Sequence, residues 1–167
     1  LKRAAHLADL GAVKEAAFLY DRIEGPQDQS MFGAVQAALL RSDYRSSLPI
    51  AAEIHALSDP PLWSAVLGAY SHLLLGENDA AYQVLLDHDP DVGTVVRLVG
   101  GVGVVDHAAF IAAIALARMG RKDEAADIWK RALAATEAET EEEGWGLHMA
   151  RGIIHANLGD AAKAFAE

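Results

Sequence analysis

Apolar residues recur at helical spacing along the chain, and short polar turns built on small residues interrupt them. Each of five small residues follows one apolar stretch and precedes another. They stand at Gly11, Ser42, Gly76, Gly120 and Gly159. A small residue suits the tight turn between two antiparallel helices, where the backbone bends sharply and a side chain would clash. The pattern therefore predicts five helix-turn-helix joints.

A second set of small residues stands five positions after these joints, at Ala16, Ser47, Ala81, Ala125 and Ala164. We expect the two helices of each hairpin to cross closely there. The joints repeat about every 30 to 45 residues, a period that signals stacked helical hairpins. No hairpin in such a stack can bury its apolar face without its neighbours. The sequence thus predicts an all-α solenoid in a single domain, residues 1–167.

The residues around the joints resemble the tetratricopeptide family. The segment 120–132, GRKDEAADIWKRA, is similar to that family's turn and second helix. Ala125 stands at the tight crossing, Trp129 is the aromatic residue four positions later, and Ala132 is the next small residue. The resemblance implies a right-handed α-α superhelix of about five tetratricopeptide-like (TPR-like) hairpins.

Other joints carry the same pattern with departures. Residues 11–20 repeat it with Tyr20 as the aromatic, residues 76–85 end in Leu85 instead, and residues 159–164 begin it again. Residues 63–70 resemble the family's first-helix signature, although the spacing differs by one. Around the second joint, serines replace the usual glycine and alanine, and Pro49 enters early in the second helix, so we interpret that unit as degenerate.

Caps and helix breakers place the predicted helices near residues 1–9, 12–24, 30–40, 44–57, 60–75, 78–87, 91–99, 104–119, 122–137, 141–157 and 160–167. A strand competes with helix only over Val92–Val105. The glycines at 100, 101 and 103 are similar to a phosphate-binding turn, but the third glycine of a dinucleotide fingerprint would fall at Asp106, whose charge would repel a pyrophosphate. We interpret these glycines as a break in a helix, and the longer spacing between joints in this region as one extra helix inserted between two hairpins.

Composition narrows the classes of protein. The chain has 167 residues and no cysteine, which excludes disulfides, thiolate catalysis and cysteine-bound zinc. It begins at Leu1 without a leader and ends at Glu167 inside a predicted helix, so we expect a fragment of a longer protein. Charged residues interrupt every apolar run before it reaches the roughly 20 residues of a membrane span. We therefore expect no membrane association and a cytoplasmic location.

Charge argues against a nucleic-acid partner. The formal net charge is -10, and no Lys or Arg occurs between Arg45 and Arg97, an interval that contains seven acidic residues. Proteins that bind nucleic acid neutralise several phosphates with cations. The one basic group comprises Arg118, Arg121, Lys122, Lys130 and Arg131. We interpret it as a solvated helix pair with local partners such as Asp127 for Arg131.

The candidate catalytic and metal-binding patterns are weak. Asp87-His88-Asp89, with Asp91, could ligate a metal, but Pro90 and the expected turn favour a solvated loop. His148 and His155 share a helical face yet are about 10 Å apart, too far to hold one ion. The remaining histidines, at positions 6, 55, 72 and 107, are isolated in sequence, and no serine follows a nucleophile-elbow pattern. The sequence predicts no enzyme, no cofactor and no metal.

The expected function is to bind another polypeptide. The first helices of stacked hairpins line a concave groove, and a few large anchors there would supply most of the affinity. The candidate groove residues are Phe32, Gln36, Trp63, Tyr70, Trp145, His148 and Arg151. The competing interpretation is that these side chains pack between helices. The acidic middle of the chain favours a basic, or at least non-acidic, partner segment, and a homodimer stays open.

Two other classes of function compete with a protein-binding scaffold. Residues 39–96 faintly resemble the small needle-subunit chaperones of bacterial type III secretion, although the flanking hairpins argue against that single-unit form. The chain could instead be the sensing or dimerising part of a bacterial transcription regulator, an option that the fragment-like ends favour.

Overall fold

The structure is a computed structural model that describes residues 2–24, 27–56, 62–90, 108–138 and 145–166. Every secondary-structure element in these ranges is a helix, which confirms the all-α prediction. The helices are α1 (Lys2–Asp9), α2 (Val13–Tyr20), α3 (Gln27–Leu40), α4 (Tyr44–His55), α5 (Leu62–Leu74), α6 (Asn78–His88), α7 (Ala108–Arg118), α8 (Lys122–Ala138), α9 (Trp145–Asn157) and α10 (Ala161–Ala166). None of these helices is both long and apolar enough to cross a membrane.

Inside the described ranges the helix boundaries lie within two residues of the sequence prediction, with two larger differences. Helix α2 ends at Tyr20 rather than near residue 24, because the chain tightens into a turn in which the Ile23 amide donates to the Tyr20 carbonyl at 3.2 Å. Helix α3 begins at Gln27 rather than near residue 30. The predicted helix at 91–99 and the ambiguous stretch Val92–Val105 lie outside the described residues.

The five predicted joints are confirmed by their backbone geometry. Gly11, Gly76, Gly120 and Gly159 have φ between 76° and 83°, and Ser42 has φ of 59°. In every joint the amide of the small residue donates three residues back, and the next amide donates five residues back, as when Arg121 donates to Leu116 at 2.9 Å. This pair of bonds is the Schellman motif, which ends a helix through a residue in the left-handed conformation. One local device therefore joins the two helices of all five hairpins.

Four of the five small residues that stand five positions after the joints are buried. Ala16, Ser47 and Ala81 are fully buried, Ala125 is 3% exposed, and Ala164 on the last helix is half-buried. The hydroxyl of Ser47 lies 2.6 Å from that of Ser71 on α5, and each also lies within hydrogen-bond distance of a carbonyl of its own helix. Hydroxyl-to-hydroxyl contact across the α4–α5 interface lets serine replace alanine there.

The helices pack consecutively. Each helix contacts the next one along the chain, and α5 also contacts α3 and α7, the first helices of the neighbouring hairpins. The largest buried cluster runs from α5 to α9 and is built on α7, eight of whose eleven residues are buried. Six of the eleven are alanines, which let neighbouring helices approach closely. The Phe110 and Trp129 rings meet edge to face in this cluster, at 5.0 Å between centroids.

Candidate functional site

Aromatic side chains from three neighbouring helices meet near the start of α5. The rings of Phe32 on α3 and Trp63 on α5 pack edge to face, with centroids 5.0 Å apart, and Tyr20 on α2 lies 6.4 Å from Phe32. Tyr20 is buried, whereas Phe32 and Trp63 are each half-buried. Edge-to-face pairs of this kind add about 0.5–1.5 kcal/mol beyond burial. The Phe32–Trp63 pair therefore links the first helices of two hairpins and also reaches the surface.

Two further candidate residues extend this area along the same helices. Gln36 lies one turn after Phe32 on α3, and Tyr70 lies two turns after Trp63 on α5; both are half-buried. Phe32, Gln36, Trp63 and Tyr70 are called the aromatic surface below. The three rings of the aromatic surface pack on the core as well as reaching the surface. Phe32 and Trp63 pack on the cluster of Val35, Ile54 and Leu67, and Tyr70 packs on the largest cluster.

The three candidates on α9 lie two hairpins further along the chain. Arg151 donates from Nη2 to the Thr136 carbonyl oxygen at 2.9 Å and so ties α9 to α8. His148 is half-buried one turn before it, and Trp145 is the first residue of α9, its side chain outside the described part of the chain. Helix α9 packs against α8 and α10.

Acidic side chains stand on the helices next to α5 but not on α5 itself, the helix that carries Trp63 and Tyr70 of the aromatic surface. Helix α5 contains no Asp, Glu, Lys or Arg. Among the described residues in the middle of the chain, the exposed acids stand on the second helices, Glu53 on α4 and Asp79 and Asp87 on α6. A negative potential near the aromatic surface would therefore come from about one helix diameter away, or about 10 Å. At physiological salt that distance is close to the Debye length, so the field there is partly screened.

Three cations of the basic group contact partners on their own or a neighbouring helix, including the Asp127–Arg131 pair that the sequence predicted. Arg131 Nε lies 3.0 Å from Asp127 Oδ2, and Arg121 donates from Nε and Nη2 to Glu124, both at 2.6 Å. The hydrogen bond from Arg121 lowers the pKa of the Glu124 carboxyl below its usual value. Arg118, an exposed residue at the end of α7, donates from Nη1 to the Leu73 carbonyl oxygen of α5 at 3.0 Å. These cations are engaged within their own or neighbouring helices.

The described residues offer no metal site of three or more His, Asp or Glu side chains. Asp91, the fourth member of the proposed loop cluster, lies outside those residues. Two of the histidines that are isolated in sequence have close neighbours in the fold: the His55 ring lies 5.6 Å from that of His88, and His72 Nδ1 lies 2.7 Å from Glu77. The His55–His88 contact joins separate helices, so sequence spacing gave no sign of it, whereas His72 and Glu77 are only five positions apart across the joint at Gly76.

Sequence reasoning also missed a cavity of about 220 Å³ between α4, α5 and α6. Its lining residues are Leu48, Ala51, Ala52, His55, Ala56, Ser64, Gly68, His72 and Val84. The signal that could have found it is the four-residue spacing of Ser64, Gly68 and His72. This spacing places a stripe of small and polar residues on one face of an otherwise apolar helix.

A separate exposed ring stands on the first hairpin. Phe18 on α2 is 55% exposed and lies under the Arg22 guanidinium, at 5.0 Å from the ring centroid. Phe18 also lines a groove of about 470 Å³ with Leu7, Lys14 and other residues of α1 and α2. Because Phe18 is exposed but lies outside the aromatic surface, it offers a control position for substitutions in the aromatic surface.

In comparisons with known proteins, no protein-family model matches this chain, and no curated protein and no solved structure matches it significantly.

Proposed function

We propose that this chain is a TPR-like helical solenoid that binds another polypeptide on its aromatic surface. The observation that carries the proposal is the half-buried Phe32–Trp63 pair, which belongs to the first helices of two neighbouring hairpins. The five equivalent joints and the contacts of α5 with α3 and α7 support a regular stack. In such a stack the first helices share one side, where a partner segment could reach several anchors.

The partner would gain affinity mainly from apolar contact. Trp63 is a suitable anchor because tryptophan is enriched among the residues that dominate binding, each contributing about 2 kcal/mol or more on truncation. Helix α5 supplies no charged side chain that would have to be desolvated. A partner segment of basic or non-acidic composition fits the acids on α4 and α6 and the net charge of -10. Because these acids are about one helix away, they would steer the approach more than they would hold the bound segment.

Selection from a random peptide display library against the full chain tests the proposal. We expect enriched peptides that combine aromatic or aliphatic anchors with Lys or Arg. The substitution Trp63→Ala should weaken their binding by about 30-fold, the equivalent of a 2 kcal/mol anchor. Phe18→Ala, which also removes a partly exposed ring, is the matched control and should leave binding unchanged. Circular dichroism and urea unfolding of each variant verify that the fold persists.

The rates of binding separate the roles of charge and contact. Raising salt from about 50 to 500 mM should lower the association rate constant and leave the dissociation rate constant nearly constant, because the charges act through solvent. Trp63→Ala should instead raise the dissociation rate constant. Peptides that bind the folded Trp63→Ala and wild-type chains equally well would contradict the proposed surface. Binding with no dependence of either rate on salt would contradict the basic partner.

A further inference from the structure

The cavity between α4, α5 and α6 lies on the opposite side of α5 from the aromatic surface. At about 100° per residue, Trp63 and Tyr70 are about 20° apart around the helix axis. Ser64, Gly68 and His72 form a stripe centred about 150° away from them. This stripe is the floor of the cavity, and α4 and α6, which both pack on α5, supply its walls. The cavity is therefore a second site, independent of the polypeptide-binding surface proposed above.

The cavity is lined mainly by apolar groups and has room at its floor. Six of its nine lining residues have no polar side-chain atom. Gly68 lies in the middle of the floor, and a Cβ there would meet Ala51 Cβ at 3.5 Å and Val84 Cγ1 at 3.8 Å, both ordinary contacts. Ala52 and Ala56 are exposed, so the cavity opens to the surface beside them. Apolar walls of this kind favour an apolar occupant over ordered water.

One lining side chain has hydrogen-bonding capacity that the described residues leave unused. His55 Nδ1 is buried and has no hydrogen-bond partner among them. The other lining histidine differs, because His72 Nδ1 already contacts Glu77 at 2.7 Å. A buried polar atom without a partner is unusual and costs stability. A half-turn of the His55 ring about its Cβ–Cγ bond exchanges the positions of Nδ1 and Cδ2 and leaves the outline of the ring unchanged. The imidazole can therefore turn its nitrogen toward a polar group that enters the cavity.

We propose that this cavity binds a small, largely apolar molecule, aromatic or branched aliphatic, with a single hydroxyl or N–H group that bonds to His55. The volume of about 220 Å³ sets the size. A cavity of about 150 Å³ holds benzene, so this one suits about six to nine non-hydrogen atoms. Phenol and indole are model compounds of this class. A molecule this small should bind with a dissociation constant on the order of 0.1 to 1 mM.

The test is a two-dimensional ¹H–¹⁵N NMR titration of the full chain with phenol, indole and toluene. Binding should move the amide signals of cavity residues such as Ala52, Gly68 and Val84. Phenol should bind about fivefold more tightly than toluene, because it adds one hydrogen bond to similar apolar contact. The substitution His55→Leu should remove this preference for phenol while toluene still binds. This titration needs no polypeptide partner, so its result is independent of the proposed function.

Filling the cavity gives the decisive comparison. Gly68→Leu should occupy the floor and weaken binding of all three probes by at least about tenfold, whereas Gly68→Ala should retain it. Ala134→Leu, at an exposed position on α8, is the control for an added leucine. If Gly68→Leu does not fold, Ala52→Leu at the mouth replaces it. Absence of shifts at about 5 mM probe, on the order of ten times the expected dissociation constant, would overturn the proposal. Undiminished binding to a folded cavity-filled variant, or an equal phenol preference in His55→Leu, would do the same.

Discussion

Replacing Ser42 by glycine should stabilise the protein, whereas replacing a joint glycine by alanine should destabilise it. Ser42 adopts φ of 59°, in the left-handed region where residues with a Cβ are disfavoured by about 1–2 kcal/mol. Glycine removes that penalty but gives the unfolded chain more freedom, at about 0.4–1 kcal/mol. The expected net gain from Ser42→Gly is therefore about 0.5–1 kcal/mol.

The reverse change, from glycine to alanine, can be made at Gly120, where it tests the backbone conformation alone. Gly120 has φ of 81°, and a Cβ built on it would have no heavy atom within 4 Å beyond its chain neighbours. Gly120→Ala therefore meets no steric contact, and its expected cost of about 1 kcal/mol is conformational. In a chain of this length that amounts to about 2–4 °C in Tm. Ser46→Gly, an exposed serine inside α4, is the matched control and should cost about 0.5 kcal/mol.

Urea unfolding followed by circular dichroism measures these differences in the free energy of unfolding. Because repeat proteins can unfold unit by unit, hydrogen exchange at the Asp43 amide gives a local measure. This amide donates to the Ala38 carbonyl at 2.9 Å within the joint, so Ser42→Gly should slow its exchange. Destabilisation by Ser42→Gly, or no effect of Gly120→Ala, would refute the view that one left-handed turn serves the joints alike.

Four further substitutions test the core and one helix end. Trp129→Ala should destabilise the protein by about 3–5 kcal/mol in urea unfolding, since its ring is 3% exposed and packs on Phe110. Gly33→Ala should lower Tm, because the new Cβ would lie 2.5 Å from the Tyr20 carbonyl oxygen, whereas Gly68→Ala should leave Tm unchanged or raise it. Asp160 accepts from the Lys163 amide at 3.2 Å, which lowers the pKa of its carboxyl. Its stabilising effect on α10 should therefore be present at neutral pH and lost in acid as pH falls through that lowered pKa, and Asp160→Asn should remove the dependence in an NMR titration.

The joints could be predicted from sequence because local chemistry determines them. A glycine such as Gly76 is favoured at positive φ wherever it stands, and the Schellman bonds around it join residues within one turn. The crossing alanines were also predictable, since they lie at a fixed distance after each joint. Ser42 shows that the signal is not limited to glycine, because the hairpin context holds a serine in the same conformation.

The contacts between helices could not be predicted in this way. Phe32 and Trp63 are 31 positions apart, and their ring contact depends on how α3 meets α5 across an intervening helix. The cavity depends on the separation of α4 and α6, which no local pattern specifies. Charge placement is a third case. The acidic interval appears continuous in sequence, yet the exposed acids that the structure describes there stand on second helices, and α5 between them has no Asp, Glu, Lys or Arg.

Helix α5 explains how one element can serve both proposed sites. A helix at the edge of a stack has one buried face, whereas α5 contacts α3, α4, α6 and α7 and is buried without a break from Ser64 to Ala69. An apolar helix enclosed in this way can reach the surface only where its neighbours leave space. The large rings of Trp63 and Tyr70 reach it on one side, and the small residues around Gly68 leave the cavity on the other. Side-chain size along α5, rather than charge or polarity, therefore determines where each site can form.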